Sequence, residues 1–377
     1  MGVPKLAVAP EFQFQREDSS TREPHQLTNK SHSFVADLAR AMPASGRVMG
    51  ISCLLAMAGC AELDSRSPSP KPSENLVAGV RQPEILLNGS WQFQLDPQEH
   101  FWEPGNSAQA WREIVVPGEP QMQGFNVVGD KEFAYQRRIS IPADFAGQRV
   151  FVRFEGVYGE SRVWVNGHFL RNHLGGFTTW ECELTDFVKP GGEALLSVGV
   201  TDRVDDISEA TGYAKHCIGG ILRSVSLVAR PRTGVRNLQV ETPLAAGFSA
   251  ATLRVTATVD FNGSREAVLR FSLRDPQGRT IALSPDSLLV RAATPRGDVE
   301  IPVESPQLWD AEHPRLYTLT TRCVVDGKEV SIQAQEIGFR EIRITGSKML
   351  VNGQVVKLRG ACRHDMHPTL GRVSTPE

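Results

Sequence analysis

The chain has 377 residues, with 41 Lys and Arg against 43 Asp and Glu, a formal net charge of −2. Hydrophobic residues are 40% and charged residues 22%, which excludes a mostly disordered chain, and the balanced charge excludes a nucleic-acid binder held by basic excess. No apolar run approaches the ~20 residues of a membrane span, and the six cysteines form neither a disulfide scaffold nor a Cys-x-x-Cys zinc pair.

Residues 1–47 are polar and show no sustained period of 2 or 3.6. Then Arg47, the short apolar stretch Val48–Met57 and Ala58-Gly59-Cys60 follow. This run resembles a bacterial lipoprotein signal, with Cys60 as the lipidated residue and translation starting at Met42 or Met49. A short buried helix is the alternative. Ser65–Ser73, rich in Ser and Pro, reads as an extended tether that cannot bury a core. Residues 1–79 are therefore expected to be a disordered leader with signal and linker. The protein is expected to be exported, periplasmic or held at a membrane only through a lipid anchor.

From about residue 80 the apolar pattern has period 2. Strands are predicted at Val150–Phe154, Ser161–Val165, Leu196–Val200, Ser224–Val228, Leu253–Val259, Ala267–Leu273, Tyr317–Val325 and Glu329–Gln333. Asn166-Gly167 predicts a two-residue hairpin turn, because both central residues of a type I′ turn need positive φ. Asn88-Gly89, Asp326-Gly327 and Asn352-Gly353 repeat the signal, and Asp275-Pro276-Gln277-Gly278 is a further turn. No amphipathic helix longer than two turns is expected between 80 and 340. Short strands at close spacing point to β-sandwiches, with boundaries near Arg230–Gly234 and Phe339-Arg340.

Several blocks then fall in a telling order. They are Leu87–Phe93 with Val116-Pro117-Gly118, Tyr135–Arg138, Val163–Gly167 and Gly175-Gly176-Phe177. Gly219–Val225, Leu308-Trp309 with His313–Leu319, and Gly338-Phe339-Arg340 follow, and Leu350–Gly353 and Arg359–Pro368 close the series. Together they make the chain resemble glycoside hydrolase family 2, the β-galactosidase and β-glucuronidase group. The resemblance implies a mainly β chain. A jelly-roll sugar-binding-like sandwich would span 80–232, and an immunoglobulin-like sandwich 233–340. The first hairpin and strand of a (β/α)8 barrel, cut short, would span 341–377.

It also implies a retaining glycosidase acting on β-glycosides, with two carboxyl groups about 5–5.5 Å apart. Those groups belong to the barrel, and only 37 residues follow Arg340, against roughly 250 for a whole barrel. This reading expects no catalytic residue in the chain, no cofactor, no metal, and no hydrolysis by these residues alone. A stand-alone surface carbohydrate-binding or scaffolding module is the competing reading.

Candidate substrate contacts come from the same resemblance. His364 matches an imidazole of the family's sugar pocket, and Arg363 precedes it. Cys362, Asp365 and Met366 depart from the family's usual Asn, Glu and His, which weakens any assignment to galactosides. Arg363, His364 and His367 could equally hold the strand end by hydrogen bonds. The loop after Leu196–Val200 carries Asp202, Asp205 and Asp206, any of which could face a sugar or form a solvated acidic turn. His216 and Cys217 are adjacent, which is too few converging groups for zinc. Cys182, Cys217, Cys323 and Cys362 are expected as free, buried thiols. Trp164, Phe177 and Trp180 could stack on sugar rings, but such aromatics more often fill a core.

Overall fold

The computed structural model describes residues 75–105, 111–203, 217–363 and 365–373. Cys60 with its signal, the Ser65–Ser73 tether, Asp205, Asp206, His216 and His364 lie outside the described residues. The chain forms β1 (Asn75–Val77), β2 (Glu84–Leu86), β3 (Gly89–Leu95), β4 (Arg112–Val116), β5 (Glu132–Ser140) and β6 (Arg149–Phe154). It continues with β7 (Val157–Tyr158), β8 (Glu160–Val165), β9 (His168–Leu174), β10 (Trp180–Glu183), β11 (Glu193–Thr201), β12 (Gly220–Ile221) and β13 (Val225–Arg230). A sheet in the order β4-β3-β5-β11-β8-β9 faces a sheet in the order β10-β6-β13-β2, and β7 pairs with β12. This is the jelly-roll-like sandwich.

Successive side chains of a strand point to opposite faces, so alternate residues fill the space between the sheets. Trp91 and Phe93 of β3, Phe133 and Tyr135 of β5, and Leu196, Val198 and Val200 of β11 meet Val150, Val152 and Phe154 of β6 there. Each such large apolar side chain contributes about 1.5–3 kcal/mol by leaving water. The period read from the sequence is the period of this core.

The second sandwich uses β14 (Gly234–Glu241), β15 (Ala250–Asp260), β16 (Glu266–Arg274), β17 (Thr280–Ile281), β18 (Ser287–Arg291), β19 (Arg296–Glu304), β20 (Tyr317–Val325) and β21 (Lys328–Ile337). Its sheets run β14-β15-β19 and β1-β21-β20-β16-β17, with β18 also on β16. Leu253, Val255, Leu269, Phe271, Leu319 and Phe339 fill its core. Among the described residues the only helical elements are single 3-10 turns.

The structure departs from the sequence reading in two places. Asn75–Val77 falls inside the 1–79 leader expected to be disordered, yet it is a strand. Asn75, Leu76 and Val77 pair with Gln333, Ile332 and Ser331 of β21, so the chain edges the second sandwich before it enters the first. Asn88-Gly89 is not a hairpin turn, because β2 pairs with β13 whereas β3 pairs with β4 and β5. Asn88 instead ties the crossing chain to the other sheet. Its Nδ2 donates to Ser224 Oγ at 3.2 Å, and its Oδ1 accepts from Val225 N at 3.0 Å. The pairs at 166, 326 and 352 have φ between 49° and 84°, as a type I′ turn requires.

Arg149 joins the two sandwiches. Its Nη1 donates to Asp260 Oδ2 at 2.7 Å, while Nε and Nη2 fork onto Glu183 at 2.9 and 2.7 Å. After Arg340 the chain makes a meander of β22 (Ile342–Thr345), β23 (Lys348–Val351) and β24 (Gln354–Val356). No further strand follows among the described residues; a turn closes at His367–Gly371.

Candidate functional site

Asp202 directly follows β11, which delivers it to one end of the first sandwich with only 5% of its surface exposed. Its Oδ2 accepts from Gly219 N at 2.7 Å. Burial pushes its carboxyl above the usual carboxylate range, against the pull of the Gly219 and Ile218 N–H groups and the Cys217 thiol. Gly219 is needed at this contact, since a Cβ there would lie 2.5 Å from Asp202 Cβ. The next residue, Gly220, has φ +145°, and its Cβ would fall 2.8 Å from both Pro120 Cδ and the Tyr135 hydroxyl oxygen. Gly118 N donates to Ile221 O at 3.0 Å and completes the approach of the 118–120 turn to β12.

That turn carries a residue the sequence reading missed. Glu119 has 0% of its surface exposed. Its Oε1 accepts from Arg372 N at 2.6 Å, and Arg372 Nη1 lies 3.5 Å away. In return Glu119 N donates to Leu370 O at 2.9 Å, and Arg223 Nη1 donates to Arg372 O at 2.8 Å. Asp202, Glu119, Arg223 and Arg372 thus gather at one end of the first sandwich. The only hint in the sequence was an acid between prolines, beside the block Val116-Pro117-Gly118.

Of the two substrate candidates near the end of the chain, Arg363 is described. It stands exposed and pairs with the carboxylate of Asp365. His367 takes the structural alternative, because its Nδ1 accepts from Thr369 N and Leu370 N, both at 3.2 Å. Trp164 and Trp180 are buried, the first against Trp102 at 4.5 Å and the second between Phe154 and His173 at 4.6 and 4.4 Å. They fill space rather than present a face. Phe177 is 62% exposed and rests against Tyr158 at 5.5 Å. The thiols of Cys182, Cys217, Cys323 and Cys362 are free, and Cys362 is exposed rather than buried. Burial pushes Cys182 up to about 12 and Cys323 up to about 11, so neither offers a thiolate at neutral pH.

The chemistry available here is anchoring chemistry. Asp202 and Glu119 each hold backbone N–H groups of another segment. In the nearby charged recess, Glu132 pairs with Arg162 at 2.6 Å, and Glu160 pairs with Arg203. A retaining acid and nucleophile would instead face an open space between them. A separate cleft of about 830 Å³, mainly apolar, lies between the second sandwich (Trp309, Arg340) and the meander (Ile342, Met349, Val356).

The model of the glycosyl hydrolases family 2 sugar binding domain matches residues 85–231, and that of glycosyl hydrolases family 2 matches residues 233–340. The β-galactosidase of Halalkalibacterium halodurans is 27% identical over 325 residues, covering 77% of this chain and 31% of that protein. The β-galactosidase large subunit of Latilactobacillus sakei is 29% identical over 337 residues, covering 78% of this chain and 52% of that protein. A family 2 member from Bacteroides cellulosilyticus superposes with a TM-score of 0.64 at 25% identity, over 75% of this chain and 40% of that one. A β-glucuronidase from Ruminococcus gnavus in complex with D-glucuronic acid has a TM-score of 0.65 at 22% identity, over 81% and 53%, and shows the shared fold. The chain spans about a third to a half of the length of these curated relatives. The two matches lie end to end on the two sandwiches and cover more than half of the residues, so the chain belongs to glycosyl hydrolases family 2.

Proposed function

We propose that these residues are the front, non-catalytic part of an exported retaining glycosidase acting on β-glycosides. The observation that carries this is the succession of the two family 2 matches on a chain that spans 31% of one curated β-galactosidase and 52% of another. The state of the described acids supports it: those at the candidate site are bound to backbone donors or to guanidinium groups rather than poised as a pair. The meander adds further support. Ile344 in it and Leu358 just after it are each 76% exposed, apolar side chains of the kind a following barrel would cover.

In this reading the acid/base and the nucleophile are supplied by barrel sequence outside these residues. The chain itself contributes scaffold and the approach to the sugar. Asp202, Arg363 and His364, with Asp205 and Asp206 in the same loop as Asp202, are the substrate-facing candidates. A module complete at residue 340 is disfavoured, because residues 370–372 are paired back onto the first sandwich.

The test is a panel of aryl β-galactosides, β-glucuronides and β-mannosides offered to the longest gene product that contains these residues. Turnover of at least one is expected, and silence across the panel would overturn the proposal. Export is proposed through lipidation of Cys60. Mass spectrometry after expression in a bacterial host should find a diacylated N-terminal Cys60; recovery of unprocessed residues 1–60 in the cytosol would refute that part.

A further inference from the structure

Glu119 is a buried carboxylate that the proposed chemistry does not use. A charge withdrawn from water is tolerated only where donors replace the water. Its donors come from a segment 253 residues later, through Arg372 N at 2.6 Å and the Arg372 guanidinium at 3.5 Å. Leu370 O and Arg372 O are taken by Glu119 N and Arg223 Nη1, at 2.9 and 2.8 Å. Three backbone groups of residues 370–372 are therefore paired with the first sandwich outside any strand ladder. Such contacts fix the path of the chain rather than the identity of its side chains.

One side-chain position is nevertheless constrained. Gly371 has φ +78°, and a Cβ there would lie 2.3 Å from Glu119 Cδ. Just before it, His367 N donates to Gly371 O at 2.7 Å, and Gly371 N donates back to His367 O at 3.1 Å. This closed turn joins the clamped residues directly to the block that begins at Arg363.

We propose that Glu119 is a positioning residue. With Arg223 it clamps the chain at 370–372, and so holds the His367–Gly371 turn against the end of the first sandwich that carries Glu119 and Arg223. The functional meaning of the clamp rests on the glycosidase reading, but its existence does not. The first domain acts on the site by placing the chain that follows the second sandwich.

Hydrogen–deuterium exchange on the 377-residue chain tests this without any substrate, so its failure is separate from a failure of the glycosidase reading. Two variants approach the clamp from opposite sides: Glu119→Gln removes the charge, and Gly371→Ala pushes a methyl group into the carboxylate. Each is expected to speed exchange of the 367–373 amides by roughly tenfold or more, leaving β6 and β11 as protected as in the unaltered chain. The double variant is expected to be no worse than the worse single one, because both break one device. Arg223→Lys, which keeps a cationic donor, is expected to restore most of the protection lost in Arg223→Ala. Unchanged exchange in both single variants would overturn the proposal. So would a loss of protection spread evenly through the first sandwich, which would make Glu119 a structural residue only.

Discussion

Asp202 shows what a single buried acid does to this end of the molecule. Burial raises its carboxyl above the usual range, so the folded chain holds this proton more tightly than the unfolded chain does. Its contribution to stability is therefore lost as pH rises from the ordinary Asp range through the raised folded value. Asp202→Asn keeps an oxygen for the Gly219 N–H and carries no charge. We expect its melting temperature relative to the unaltered chain to climb as pH rises from 4 to 7; a gap independent of pH would contradict the burial argument. Asp202 was legible in the sequence as an acid just past an alternating strand. Glu119 was not, because nothing local reports that residues 119 and 372 meet.

At the scale of elements, the alternating strands were legible because a half-buried strand needs period 2. The Asn-Gly pairs were legible only in part. At Asn166-Gly167 the pair closes β8 onto β9, but at Asn88-Gly89 the same two residues mark a crossing between sheets. The dipeptide signals positive φ at its glycine, +84° and +107° respectively, and local sequence does not say which strand comes next. The role of Asn88 is testable. Asn88→Ala removes both of its bonds between the sheets and is expected to cost about 1–3 kcal/mol in urea unfolding; a change under a few tenths would mean they are idle. Arg149→Ala removes the link from β6 to both Glu183 and Asp260 and is expected to cost about 2 kcal/mol. Combined with Asp260→Ala, the loss should be less than additive, since one contact is shared; full additivity would place the effect elsewhere. The β1 strand escaped the sequence reading because three residues are too few to show a period, and only pairing with β21 makes them a strand.

For the whole molecule, the part after Arg340 divides in two. The meander exposes Ile344 and Val355, and Leu358 after it is exposed too, whereas residues 370–372 are held by Glu119 and Arg223, and Val373 is buried. Trypsin should therefore cut first at exposed Arg343, Lys348, Lys357 or Arg359, before either sandwich is opened. First cuts inside residues 111–200 would contradict this division. The family could be read from blocks scattered along the chain, several of which sit at a turn or in the core, as Asn166-Gly167 and Leu87–Phe93 do. The sugar could not be read, because the acids and imidazoles that choose it act only when brought together by a fold larger than their neighbourhood. The most direct test of a front part without its own acid pair is a rate assay of the purified 377-residue chain with aryl β-glycosides. Release of the aryl group is expected to be no faster than in buffer. Turnover near 1 s⁻¹ or above, at the level of ordinary enzymes, would show that these residues hold a working acid pair and would contradict that expectation.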